Sequence, residues 1–265
     1  MSNGSPILSA EERADRCHQT LEPEMVKNHE IPLNSSGKKR FLVVSPHPDD
    51  ADLGMGGTIL SLKEKGHYVA IVDLTSGEPT PYGNEQKRKK ETGEATKILG
   101  VNKRINLTLP NRYLFDSKEA RLLLAGKIRL IRPHIIFCPH HEDAHPDHWT
   151  ATSITEGARF YAKYTKLSLE GEPWYADYLF HYSCSHLRKI PNMSFLVDIS
   201  DQYQNKTMAM QCYRSQFIDN PKNRSVFDWV EARDRYFGSL IKKKYAEPFF
   251  CKEALGVADP AIFLL

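Results

Sequence analysis

Residues 40–52 read RFLVVSPHPDDAD, and the first part of that run sets the architecture. Phe41-Leu42-Val43-Val44 is a short apolar run with no polar alternation, the signature of a strand buried on both faces. The stretch from Ser45 to Asp52 reads as a polar loop directly after it, and helical pattern resumes from Gly57 to Lys65, stopped by Gly66. Working outward, the same alternation recurs. His67 to Leu74 (HYVAIVDL) is a second buried strand, followed by a polar loop to Gly83. Asn84 to Leu99 is an amphipathic helix ended by Gly100. Arg104 to Leu107 is a weaker strand, and Ser117 to Arg132 a helix ended by Pro133. His134 to Cys138 is a fourth strand, followed by a helix from about Asp147 to Ala162.

Short strands alternating with helices imply right-handed β-α-β units. The expected fold is therefore α/β, a Rossmann-like, mostly parallel sheet with helices on both faces. The remainder is more mixed, with strands near Tyr178–Ser183 and Phe195–Asp198 and helices near Asp201–Tyr213 and Val226–Lys242. Residues 1–38 lack a sustained apolar period and read as a polar N-terminal extension, with one short helix from Ser9 to about Thr20. Residues 39–265 then form a single domain.

The composition is that of an ordinary globular chain: 40% hydrophobic and 26% charged among 265 residues, with a net charge of +3. The charges are interspersed, so nothing calls for nucleic acid or an anionic membrane as partner. No apolar run is long enough to span a membrane, and the first twenty residues lack the apolar core of a secretory signal. The five cysteines are odd in number and widely spaced, which argues against a disulfide framework or a Cys-x-x-Cys metal site. A cytoplasmic protein with reduced thiols is expected.

In open α/β sheets, ligands bind outside the carboxyl ends of the strands. Two of the loops there are rich in metal-ligand side chains. One reads Pro46-His47-Pro48-Asp49-Asp50-Ala51-Asp52. The other reads His140-His141-Glu142-Asp143-Ala144-His145-Pro146-Asp147-His148. Imidazole with carboxylate suits Zn²⁺ or another first-row divalent ion, and a catalytic zinc takes three protein ligands with one position left for water. A carboxylate outside that set would accept a proton from the water. The glycines of Gly54-Met55-Gly56-Gly57 do not form a dinucleotide loop, because Ile59 stands where G-x-G-x-x-G requires glycine. Ser76 lacks the G-x-S-x-G setting of a nucleophile. Cys138, inside a strand, reads as a small core residue.

Pro-His-Pro-Asp-Asp followed by Gly-Met-Gly-Gly-Thr-Ile, with His-Pro-Asp-His about a hundred residues on, resembles the LmbE/PIG-L family of zinc-dependent N-acetylglucosaminide deacetylases. Further blocks match over Phe41 to about Pro260: Asp73-Leu74-Thr75-Ser76-Gly77-Glu78, Arg88-x-x-Glu91-x-x-Glu94-Ala95, Asn106-Leu107-x-Leu109-Pro110 and Tyr213-Arg214-Ser215-Gln216-Phe217. Together they are similar to the bacillithiol-biosynthesis branch, which removes acetate from N-acetylglucosaminyl malate. The resemblance implies His47, Asp50 and His148 as zinc ligands and Asp49 as general base. It also implies His145 as a cation near the tetrahedral intermediate, held by Asp147, and Arg88 as a substrate contact. Tyr182 and His181, at the end of a strand, either reach the same pocket or serve structural packing; His134, His140 and His141 are not needed as ligands. The substrate would be a small N-acetylglucosaminide, and relatives are often homo-oligomers. Asp52 in place of Glu, Ala144 in place of Arg and Trp149 in place of a small residue are departures at the pocket rim.

Overall fold

The apolar run 41–44 becomes an interior strand of a seven-stranded sheet. In the computed structural model, which describes residues 37–186, 189, 192–256 and 259, β1 (Arg40–Ser45) pairs in parallel with β2 (Tyr68–Thr75) and with β4 (Ile135–Pro139). Beyond β2 lies β3 (Lys103–Leu109), and beyond β4 lies β5 (Tyr178–Tyr182), both parallel to their neighbours. Then β7 (Ala246–Phe250) runs antiparallel to β5 and to β6 (Phe195–Asp198), giving the order β3-β2-β1-β4-β5-β7-β6. The expected mostly parallel α/β sheet is thus observed. The extension over 1–38 and the helix from Ser9 to Thr20 lie outside the described residues, apart from Gly37 and Lys38.

Strand periodicity divides the core between two faces. Leu42, Val44, Ala70, Val72 and Ile136 pack on one side under α3 (Lys118–Ile131) and α4 (Pro146–Ala162), meeting Leu124, Ile128 and Ile154. Phe41, Val43, Val69 and Ile71 face the other side. There they meet Met55 and Ile59 of α1 (Asp50–Glu64), Leu99 of α2 (Glu85–Leu99) and Ala209 of α5 (Tyr203–Gln211). Burial of each of the larger of these side chains stabilises the fold by about 1.5–3 kcal/mol. Local signals fix the helix ends. Asn84 accepts from the Lys87 amide and Ser117 from the Ala120 amide, while Gly100 closes α2 at φ 62°.

Three elements differ from expectation. The loop after β1 is shorter than expected: α1 begins at Asp50, with Asp50 and Asp52 in its first turn, where acidic side chains suit the positive helix end. The helix breaks at Met55 (φ −147°, ψ 24°), so the expected start at Gly57 is the start of its second half. A short α6 (Arg214–Phe217) precedes α7 (Val226–Leu240). Strand β7 was hidden by Glu247 and Pro248, residues that ordinarily argue against an interior strand.

The glycines of α1 allow close packing. A Cβ on Gly54 would lie 2.4 Å from Cδ2 of Tyr182 and 2.9 Å from the Ser183 carbonyl oxygen; one on Gly57 would lie 2.7 Å from Cβ of Ile199. Gly54→Ala is expected to destabilise the protein by about 1–3 kcal/mol, the cost of overpacking. Chemical denaturation checks this, and an unchanged midpoint would contradict the packing role.

Candidate metal centre

Strand order reverses between β1 and β4, so the loops after these two strands flank the crevice of the sheet. After β1, the Ser45 hydroxyl donates to the His47 carbonyl (2.6 Å) and accepts from the Ala51 amide (3.2 Å), which folds 45–51 into a tight turn into α1. After β4, Pro146 takes the first position of α4 and His145 its N-cap. These two turns bring His47, Asp50 and His148 together. Asp50 Oδ2 lies 2.9 Å from His47 Nδ1 and 3.3 Å from His148 Nε2, and one ligand atom from each residue falls within 4.8 Å of the others.

Further carboxylates back the two histidines. Asp147 Oδ2 lies 3.1 Å from His47 Nε2, and Asp143 Oδ1 lies 3.0 Å from His148 Nδ1, out of line for a hydrogen bond. A carboxylate on the far nitrogen of an imidazole fixes its orientation and raises its basicity toward a metal. Two imidazoles and a carboxylate with such backing fit a first-row divalent ion. Two other sets also converge, His47–His145–Asp147 and Asp143–His148–Cys184. In the first, Asp147 already accepts from the Arg112 amide (2.7 Å) and the Leu114 amide (3.3 Å). The second is wholly buried.

The titratable groups respond to one another. Burial alone would lower the His47 imidazole, but hydrogen bonds to Asp147 and Asp50 outweigh it and raise its pKa to about 9. Burial likewise opposes ionisation of Asp50, yet the His148 charge and its hydrogen bond hold that carboxyl well below its usual range. Asp49 is pushed up to about 6, chiefly by burial, against the pull of Arg88.

Three expected roles are corrected. Asp147 does not hold His145 through its carboxylate, which serves His47 and the 112–114 backbone; the His145 Nδ1 instead accepts from the Asp147 backbone N–H at 3.1 Å. For His145 a positive charge at rest is disfavoured: burial and the neighbouring His148 and His47 push its pKa down to about 4, and its Nδ1 accepts from a backbone N–H, so the neutral ring carries its proton on Nε2. Tyr182 does not line the opening, because it is fully buried and its hydroxyl donates to the Val44 carbonyl (3.0 Å).

Arg88 is engaged by groups of its own chain. It is buried, donating from Nη1 to Asp49 Oδ2 (2.7 Å) and the Pro48 carbonyl (2.9 Å), and from Nε to Glu78 Oε1 (3.2 Å). Asp52 turns away to Arg104 (3.1 Å) and the Tyr213 hydroxyl (3.2 Å). His134 accepts from the Arg40 amide, and His140, His141 and His181 gather around a separate pocket with Phe250 and Lys252.

Reading the sequence for ligands overlooked Asp143, Glu78 and His186. Asp143 and Glu78 stand inside the motif blocks, so proximity to the matched residues was a usable signal. His186, with ring centroids 5.6 Å from His145 and 5.7 Å from His148, carried none.

An α/β sheet with a His–Asp–His cluster at its switch point, beside a buried carboxylate held by arginine, defines a candidate metal-dependent hydrolytic centre. Residues 42–158, which contain both loops, match the family model described as PIG-L, GlcNAc-PI de-N-acetylase. The conserved protein TT1542 from Thermus thermophilus is 41% identical, with 83% of this chain and 98% of that chain aligned at a TM-score of 0.76. Diacetylchitobiose deacetylase of Thermococcus kodakarensis is 29% identical over 79% of this chain and 81% of its own. A probable N-acetyl-alpha-D-glucosaminyl L-malate deacetylase 2 of Bacillus anthracis is 29% identical over 42% of this chain and 55% of its own. The chain belongs to the PIG-L family of deacetylases, hydrolases of amide C–N bonds. Among the described residues no helix is long and apolar enough to cross a membrane.

Proposed function

We propose that this protein removes acetate from an N-acetylglucosamine conjugate, with N-acetylglucosaminyl malate as substrate, and that His47, Asp50 and His148 hold a zinc or another first-row divalent ion for the reaction. The observation that carries the reading is Asp50 Oδ2 standing between two imidazole nitrogens, at 2.9 and 3.3 Å, with the carboxylate of Asp49, held by Arg88, adjacent in the chain. A metal ion held there supplies Lewis acidity and lowers the pKa of water.

The chain's own groups perform the rest. Asp49, with a pKa of about 6, accepts the proton of the attacking water and returns it to the departing nitrogen. His145, neutral with its proton on Nε2, donates a hydrogen bond to the developing oxyanion. Asp147 keeps the His47 ring in place. The malate assignment rests on the resemblance to that branch; chito-oligosaccharides and inositol conjugates are the alternatives within the same chemistry.

Acetate release from a panel of N-acetylglucosaminides tests the reading. Turnover of the malate conjugate well above chitobiose and inositol conjugates is expected, and the opposite ranking would move the substrate to another branch. Metal content is tested separately. Elemental analysis should give about one divalent ion per chain, and His148→Ala should lose most of it. Full retention in that variant would sink the ligand assignment.

A further inference from the structure

The break in α1 is flanked by buried charges. In an unbroken helix the Gly57 N–H would donate to the Leu53 carbonyl. Here each of these groups has a side-chain partner from elsewhere in the chain. The Leu53 carbonyl accepts from Arg233 Nη2 (2.8 Å), and the Gly57 N–H donates to Glu247 Oε1 (3.0 Å). The Thr58 N–H and hydroxyl both donate to Glu247 Oε2, at 2.7 and 2.6 Å.

The two sides are joined. Arg233 Nε donates to Asp234 Oδ1 (2.8 Å), and Lys206 Nζ bridges Asp234 Oδ2 (2.6 Å) and Glu247 Oε1 (2.7 Å). Two cations and two anions form a neutral chain in which Lys206, Asp234 and Glu247 are wholly buried. They come from α5, α7 and β7, so three separate elements converge on one turn of α1. That turn begins at Leu53, one helical turn after the N-cap Asp49 and the first helical residue Asp50.

We propose that Arg233 and Glu247, linked through Asp234 and Lys206, are positioning residues. They hold the break at Met55 and thereby set where Asp49 and Asp50 stand. The inference rests on the reading of Asp50 as a metal ligand and Asp49 as the base. Without the clamp, the Leu53 carbonyl and the Gly57 N–H would close onto each other, and the first turn of α1 would re-aim. A displacement of about 1 Å at a catalytic group is enough to lower a rate by roughly a hundredfold.

Glu247→Gln tests it, because the amide places a donor where the carboxylate only accepts. Zinc affinity, measured by competition with a chromophoric chelator, is expected to fall about 10–100-fold, as for other groups that orient a ligand. At saturating zinc, kcat should fall about as much while KM changes little. Amide exchange over residues 53–58 should quicken by about tenfold or more, which reads the clamp without any metal. Leu124→Ala, in the core on the opposite face of the sheet, is the control for lost stability. It should lower the melting temperature and leave affinity and kcat alone.

If Glu247→Gln matches that control in all respects, the network is only part of the fold and the proposal is overturned. Should the variant not fold, Arg233→Lys keeps the charge but loses the forked donors to Leu53 and Ser183, and the same criteria apply. Failure of the wild-type protein to bind zinc would speak against the proposed function instead, and amide exchange would still decide the clamp.

Discussion

Asp49→Asn is expected to retain its metal and to lose about 10²–10⁴-fold in kcat, the range that a positioned general base contributes. The amide is nearly isosteric with the carboxylate. Its oxygen still accepts from Arg88 Nη1, which lies 2.7 Å from Oδ2 in the native protein, so the N-cap of α1 keeps its place. The converging set is His47, Asp50 and His148, and none of these is altered. What the substitution removes is a proton acceptor poised near neutrality: burial raises the Asp49 carboxyl to about 6, where it is ionised at pH 7 yet basic enough to take a proton. Elemental analysis and acetate release on the same preparation separate the two effects. Near-normal turnover would remove Asp49 from the mechanism, and parallel loss of metal would make it a ligand.

The elements that were legible in the sequence are those decided locally. Both histidine-aspartate loops could be placed at strand ends because the strands before them are uninterrupted apolar runs, and Asn84, Ser117 and Gly100 mark helix ends by their own side-chain or backbone chemistry. What was not legible depends on partners far along the chain. Glu247 looks like a strand breaker until its carboxylate is seen on the amides of Gly57 and Thr58, 190 and 189 residues away. The start of α1 at Asp50 was obscured in the same way, since Asp-Asp-Ala-Asp reads as loop unless the first turn of a helix is waiting for acidic side chains.

The candidate site shows the same division. Residue types marked the two loops and the family resemblance singled out His47, Asp50 and His148 within them, but which imidazole Asp147 would serve was settled by the 110–114 loop. That loop offers the Arg112 and Leu114 amides to the same carboxylate and draws it toward His47. Orientation of a ring or a carboxylate is a tertiary property, and a motif carries no record of it. The role of His145 changed for the same reason, because its charge is set by burial and by two neighbouring imidazoles from other positions in the site.

Arg88→Met is expected to lower kcat/KM by about 2–4 kcal/mol, the scale of a broken buried charge pair. The loss should be equal on N-acetylglucosaminyl malate and on N-acetylglucosamine. A substrate-contacting arginine would instead discriminate between them, because only the malate conjugate offers carboxylates for a planar guanidinium to grip. The structure favours the equal loss, since Nη1 and Nε are engaged by Asp49, the Pro48 carbonyl and Glu78, and the side chain is 4% exposed. Glu78 keeps partners in the variant, accepting from the Thr80 amide (2.7 Å) and hydroxyl, so the main casualty is Asp49. The sign of the pH effect follows. Arg88 lowers the Asp49 pKa, so its removal raises it, and the acidic limb of the pH–rate profile should move to higher pH. Part of the lost activity should therefore return as the assay is made more alkaline. A loss confined to the malate conjugate, with the acidic limb unmoved, would mean that Arg88 leaves Asp49 when substrate enters and reads the aglycone directly.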